Sequence, residues 1–568
     1  MIRRSVSDRA PHPVARVRSP RVTVLAVAAA VLACVANFAT PLALAQALEG
    51  KVTRITLDNG MRFLVVRRGT APVFAAELRF RVGSVDDPGG RSGLAHLFEH
   101  LAFKGTSTIG TRDARKEAEI LDAMDRAAIN LMLEKDRGEK ADPKRLEALR
   151  GDLESLSKKL QELTVKDEFS QILTGNGAVG LNASTSSDLT SYVVALPANR
   201  LELWCLLESA RLRDPVLREF YSERDVVMEE RRMRVDNQPQ GKMYEQLLLS
   251  AFQAHPYRVP TVGFMSDLEH VTRPQALEFR RSFYTPNNAV GTLVGDIDPA
   301  VVERLVRRYF GDIPAGPEPP APATAEPSQT GERRTVVEFD AEPEVMIAFH
   351  KAVWPSPDDP VFAVIDSLLT SGRTSRLFRR LVLETRVASD VYSMQVPGDR
   401  YPNLFGIGAT PRAPHTASEV EAGILQELRR LGDEPIPERE LQKIRNQLRA
   451  SFLYPLRSNQ GLAGQLSFYE IITGDWKNLN AYASALQAAT GPQVQELSRR
   501  TFRHPRGRLA RSGRRDACRN RGGHSFPGSG RDAAGSAGAH LPASRHVLPE
   551  AGENPATQRP PGLPLRGS

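Results

Sequence analysis

Cysteine is almost missing from this chain. Only three of 568 residues are cysteine. One of them, Cys34, lies in an N-terminal apolar run, so Cys205 and Cys518 alone are left and no disulfide framework can hold the fold. Long apolar runs are lacking too: the run at residues 22–36 falls short of the ~20 residues a membrane span needs. A sustained charge of one sign is missing from the body of the chain. The net charge of +9 comes from arginines in the first 21 and last 64 residues, and the body between them is mildly acidic. A nucleic-acid partner is therefore not expected. The last 64 residues contain no Lys, Ile, Tyr or Trp, but hold 11 Arg, 11 Gly and 8 Pro. Such a segment cannot bury enough apolar surface to offset its ordering entropy. It reads as a disordered basic tail or, preferably, as the product of a reading-frame change in a GC-rich gene.

What is present begins with an export signal. Arg3, Arg4, Arg9, Arg16, Arg18 and Arg21 precede the apolar run, and Ala43-Leu44-Ala45 offers a small-residue cleavage site before Gln46. The expected localisation is periplasmic or secreted, with a signal peptide over 1–45 and no membrane span after its removal; a retained anchor is the alternative. From residue 52 two strand-like runs, 52–57 and 61–66, flank Asp58-Asn59-Gly60, a hairpin signal. Further strands are expected at 74–82, 180–185, 190–195 and 288–296, and helices near 198–213, 216–234, 240–253, 273–283 and 299–309. Residues 112–165 form an insertion: Leu146, Leu149, Leu153, Leu156, Leu160 and Leu163 step by three and four, as in a helical hairpin. A first domain over 46–313 is followed by a Pro/Ala-rich linker at 314–332. A second domain, 333–505, has strands at 335–339 and 345–349 and helices at 361–371, 373–384, 417–431, 437–451 and 458–472. The odd tail occupies 506–568.

The chemistry centres on His96-Leu97-Phe98-Glu99-His100. On a helix, positions i and i+4 share a face, so both imidazoles can hold one metal ion. Glu99 can reach a metal-bound water without being a ligand, take its proton and deliver it to a leaving amine. Histidines satisfied within a core or at a surface are the competing reading of the pentapeptide alone. The order is that of the inverzincins.

The wider stretch, Gly93 through Thr106, closely resembles the active-site helix of the pitrilysin/insulinase peptidases, which include the mitochondrial processing peptidase. Asn182-Ala183-Ser184-Thr185 and Thr190-Ser191-Tyr192 resemble the family's substrate-pairing edge strand. Glu223 through Glu230 resembles its second catalytic segment. The resemblance, over about residues 50–505, implies one zinc ion per chain held by His96, His100 and Glu230. It implies Glu99 as general base, Glu223 in a supporting catalytic role, and Asn182, Ala183 and Thr185 as substrate-binding residues. Arg386 and Tyr392 are weaker substrate-binding candidates. Glu229 competes with Glu230, but Glu223 and Glu230 lie two turns apart on one face, whereas Glu229 is rotated by about 100°.

The implied fold is α+β: two homologous α/β units, each a mostly antiparallel sheet with helices packed on one side. The implied activity is zinc-dependent endopeptidase action on peptides or unfolded polypeptides. The implied assembly is a homodimer, or a heterodimer with a related subunit lacking the zinc motif. A catalytically silent scaffold or chaperone-like subunit is the rival reading. The resemblance also leads one to expect a strand after Thr501-Phe502, where the odd tail begins instead.

Overall fold

The computed structural model describes residues 50–502 and a two-residue strand at Arg511–Ser512. The signal-peptide reading and, apart from that strand, the readings of the tail lie outside the described residues.

The fold begins with the hairpin of β1 (Val52–Thr56) and β2 (Arg62–Arg67), paired antiparallel. Gly60 makes the turn with φ +83°, and a Cβ there would approach Asn287 to 3.0 Å. β3 (Val73–Phe80) leads to the short helix α1 (Leu94–Leu101), and the long pair α2 (Ala114–Lys135) and α3 (Pro143–Leu163) follows. Asp113 and Asp142 cap these two helices, accepting from the backbone of Lys116 (3.1 Å) and Lys144 (3.0 Å). Leu121, Met124 and Leu160 form the small core that holds the pair together.

After α4 (Glu168–Gly175), strands β4 (Val179–Thr185) and β5 (Thr190–Pro197) precede α5 (Leu201–Arg213) and α6 (Phe220–Arg231). Helices α7 (Pro239–Ala251), α8 (Met265–His270) and α9 (Arg273–Phe283) lead to β6 (Ala289–Gly295) and α10 (Pro299–Phe310). The first sheet has the order β1-β2-β6-β3-β5-β4. All its pairs are antiparallel except β2 with β6.

The second unit contains β7 (Val336–Val337), β8 (Val345–Lys351), α11 (Asp358–Thr370), a π-helical segment (Phe378–Glu384), β9 (Ala388–Val396) and β10 (Asn403–Pro411). Helices α12 (Ala417–Asp433), α13 (Glu438–Leu453), α14 (Asn459–Thr473), α15 (Asn478–Ala488) and α16 (Gly491–Phe502) follow, and β11 (Arg511–Ser512) enters the sheet. Its order, β7-β11-β8-β10-β9, repeats five strands of the first sheet with the same relative directions. In this comparison β11 corresponds to β6. A strand therefore does follow Phe502, but it is two residues long where β6 has seven.

The α+β fold of two like units is thus realised, with one refinement. Both faces of the central strands are buried: every residue of β6, and all of β8 except His350. Helices of its own unit can cover only one face of each sheet, so the other face takes a helix from the other unit. Helix α14 lies on β3 and β6 of the first sheet. Met243, Leu247, Leu248 and Ala251 of α7 pack with Met346, Ala348 and Leu404 of the second. Ion pairs accompany this exchange: buried Glu470 of α14 meets Arg54 (2.8 Å) and Arg62 (2.9 Å) at the sheet's rim, and Arg400 meets Asp86 (2.8 Å) in a buried pair.

The proline-rich linker has neither helix nor strand, but it is docked. Asn287 exchanges hydrogen bonds with the backbone of Gly316. Glu326 accepts from the successive backbone N–H groups of Gln253, Ala254 and His255 at 2.9, 2.9 and 3.1 Å.

Candidate metal centre

Helix α1 is wholly buried, and its sequence explains why it can be both core and site. Leu94, Leu97, Phe98 and Leu101 join the first unit's core, while His96, Glu99 and His100 occupy its remaining face. Its N-cap, Gly93, has no side chain to cap with. Asp87 does this from the preceding loop, accepting from the backbone N–H of Gly93 (2.7 Å) and Ala95 (2.9 Å).

Helix α6 delivers the carboxylates. Glu230 Oε2 lies 3.7 Å from His96 Nε2 and 3.5 Å from His100 Nε2, while its Oε1 is held by Arg234 at 2.5 Å. Single donor atoms of His96, His100 and Glu230 all lie within 4.8 Å of one another. Among the described residues this is the one such group of His, Cys, Asp or Glu. Glu229 is turned away, with a side chain 58% exposed and paired to Arg232. Two helical turns before Glu230, Glu223 Oε2 approaches His100 Nδ1 at 3.4 Å, and its Oε1 meets Lys104 Nζ at 2.6 Å.

The electrostatics separate the carboxyls. Burial pushes Glu99 up to about 7, with the Thr185 hydroxyl and His100 pulling the other way. Burial would also raise Glu223 and Glu230, but it is outweighed. Contacts with His100 and Lys104 hold Glu223 down at about 2; His100, His96 and Arg234 do the same for Glu230. Glu99 Oε2 is buried without a protein hydrogen-bond partner. Two imidazoles and an ionised carboxylate at this spacing are the donor set of a catalytic zinc site, and an unpartnered carboxyl oxygen on the same helix suits a base acting on a metal-held water. The residues fit zinc.

Strand β4 is an edge of the first sheet and packs beside α1. Asn182, Ala183 and Thr185 face Val193, Tyr192 and Thr190 of β5 on one side. Asn182 and Ala183 also line a cavity of about 190 Å3 with His100, Phe103, Lys104 and Glu223. Tyr392 and Arg386 belong to the second unit. The Tyr392 hydroxyl donates to Glu344 at 2.6 Å, and Arg386 is exposed in a left-handed turn before β9. The structure does not bring these two together with the metal group. Sequence reasoning missed Asp87, Lys104 and Arg234. Helical spacing could have found Arg234, four residues after Glu230; nothing local marks the other two.

Two family models match the chain: "Insulinase (Peptidase family M16)" at residues 62–130 and "Peptidase M16 inactive domain" at residues 270–448. A zinc protease of Helicobacter pylori, PqqE, is 29% identical over 447 residues, covering 77% of this chain and 87% of the relative. The crystal structure of a protease from the same organism superposes with a TM-score of 0.68 at 26% identity, over 82% of this chain and 99% of that one. The periplasmic protease PqqL of Escherichia coli gives a TM-score of 0.59 at 16% identity, over 82% of this chain and 47% of that one. No helix among the described residues is long and apolar enough to cross a membrane.

Proposed function

The chain belongs to the pitrilysin/insulinase (M16) family of peptidases, and on that premise we propose that it is a zinc-dependent endopeptidase acting on peptides or unfolded polypeptides. One observation carries this reading: the donor atoms of His96, His100 and Glu230 converge within 4.8 Å beside the buried, unpartnered oxygen of Glu99. His96, His100 and Glu230 would hold the ion. Zinc bound by three protein ligands supplies Lewis acidity and lowers the pKa of a water in its open position to about 7.

The protein's own residues do the rest. Glu99 accepts the proton of the attacking water as its oxygen bonds to the scissile carbonyl carbon. Glu99 then gives that proton to the leaving nitrogen as the C–N bond breaks. A carboxyl whose pKa is pushed up to about 7 is suited to both transfers near neutral pH. Glu223 orients the His100 ring through Nδ1. The free edge of β4 would pair with an extended substrate backbone through Asn182, Ala183 and Thr185, which selects unfolded segments.

The "inactive domain" match over 270–448 fits a second unit that supplies no ligand to the metal group. The chain covers 47% of the periplasmic protease PqqL, which supports a two-chain assembly: a homodimer, or a heterodimer with a related subunit lacking the zinc motif. It also supports a periplasmic or secreted location.

Glu99→Gln tests the mechanism. Bound zinc should stay at one per chain, while hydrolysis of an unstructured peptide falls by several orders of magnitude. Equal turnover in both proteins would overturn the role of Glu99. Zinc binding without turnover in the wild type would favour a silent scaffold.

A further inference from the structure

We infer that Lys104 and Arg218 are positioning residues of this centre: Arg218 fixes the loop that follows the metal helix, and Lys104, carried on that loop, fixes Glu223 against His100. The inference rests on the zinc-site reading above and adds to it the root of the helical pair α2–α3.

Arg218 is the most completely engaged side chain near the site. A guanidinium has five N–H donors in a rigid fork. Here Nε and one Nη2 donor go to the Glu117 carboxylate at 2.7 and 3.0 Å. The other Nη2 donor goes to the Thr106 carbonyl at 2.7 Å. Nη1 serves the carbonyls of Ile109, at 2.9 Å, and Lys104. All five donors are used, and the side chains of Arg218 and Glu117 are each 1% exposed. The loop backbone is wrapped around the guanidinium: a Cβ at Gly105 or Gly110 would stand 2.8 or 2.5 Å from Nη1, and both glycines have φ near +90°.

The chain bends sharply to deliver this side chain. Leu217 and Glu219, on either side of Arg218, have φ of +53° and +59°. Residues other than glycine rarely adopt such values, and they persist only where surrounding contacts enforce them. What the bend secures is a geometry between two elements. Arg218 stands two residues before α6, which carries Glu223 and Glu230, and it grips the loop leaving α1, which carries His96 and His100. Lys104 then closes the same gap from the other side, with Nζ at 2.8 Å from Glu219 and 2.6 Å from Glu223. Glu223, so held, faces His100 Nδ1. A residue that orients a ligand through its second ring nitrogen typically affects metal affinity or activity by 10–100-fold.

Because Glu117 lies in the first turns of α2, the helical pair is joined at its base to the ligand geometry. It is more than an appended arm.

The test uses the full chain, with Co(II) as the metal probe. Lys104→Met should weaken Co(II) affinity about 10–100-fold, alter the visible Co(II) spectrum and lower kcat about 10–100-fold. KM should stay within about twofold, and the melting temperature near that of the wild type. Lys104→Arg, which keeps the charge, should recover most of the loss. Arg218→Lys, or Glu117→Gln should that variant fail to fold, should show the same signature. A Lys104→Met chain with wild-type cobalt affinity, spectrum and kcat overturns the proposal. A folded Arg218→Lys or Glu117→Gln chain that binds cobalt as the wild type does overturns its loop half. Wild-type protein that binds cobalt but cleaves nothing overturns the peptidase reading instead, and the proposal is then decided on affinity and spectrum alone.

Discussion

Buried Glu99 and half-buried Glu223 both lie near His100, yet their surroundings drive them to opposite protonation behaviour. Glu223 has an ammonium at 2.6 Å and stays ionised. Glu99 has no such partner and is pushed up to about 7. The same rule acts away from the centre and there becomes a stability statement. Glu344, buried in the second unit under the Tyr392 hydroxyl, is pushed up by burial, with that hydroxyl pulling back. Between the ordinary carboxyl pKa and the raised one the folded chain therefore keeps a proton that the unfolded chain has released. This contribution to stability is fully present below the ordinary carboxyl pKa and is lost as pH rises through the raised one. Glu344→Gln cannot titrate. Its melting temperature relative to wild type should climb as pH rises across that window. A constant difference from about pH 4 to 7 would show that Glu344 titrates as it does in the unfolded chain.

At the scale of elements, the metal helix depends on a residue outside it. Eight residues are too few for a helix to be stable alone, and the Gly93 N-cap offers no side chain. Asp87 supplies the two hydrogen bonds that the first turn lacks. Asp87→Ala should cost about 2 kcal/mol of stability and weaken zinc binding, because the first turn carries His96. Unchanged zinc affinity in a destabilised variant would mean that packing alone aligns the helix.

This dependence also marks how far the sequence could be read. The i, i+4 spacing of His96 and His100 is a local pattern, and so is the two-turn spacing of Glu223 and Glu230; each can be taken from one segment. The β1–β2 hairpin was legible for the same reason, in Asn59-Gly60. Asp87, Lys104 and Arg218 act across gaps in the chain or through bends at Leu217 and Glu219, which no periodicity encodes. Strands β9 and β10 escaped notice because neither shows a simple alternation: the inner strand β10 is buried almost throughout, and the edge strand β9 is mostly half-buried or exposed. The exchange of α7 and α14 between units was illegible too, since an apolar helix face does not say whose sheet it covers.

On the scale of the whole molecule, the two sheets repeat one topology with unequal completeness. In the first, β3 pairs with β6 at every residue from Phe74 to Phe80. In the second, β8 pairs with β10 at seven positions but, among the described residues, with β11 at Val345 alone. Backbone pairing is the part of a sheet that hydrogen exchange reads directly, and regions with fewer protected pairs open at lower free energy. The second sheet should therefore open first. In hydrogen-exchange mass spectrometry, peptides spanning 345–351 should exchange well before those spanning 73–80 and 289–295.

The exchanged helices add a consequence. Opening of the second unit frees α14, which covers β3 and β6 on the face away from α1. Loss of the second unit's structure should then expose the back of the sheet that supports the metal helix, and metal should be released in the same transition. Chelator-accessible zinc followed along a urea titration checks this. Zinc release coinciding with loss of protection at 345–351 fits one coupled opening. Release only at the later transition of 73–80 would show that the first unit holds its centre without the second.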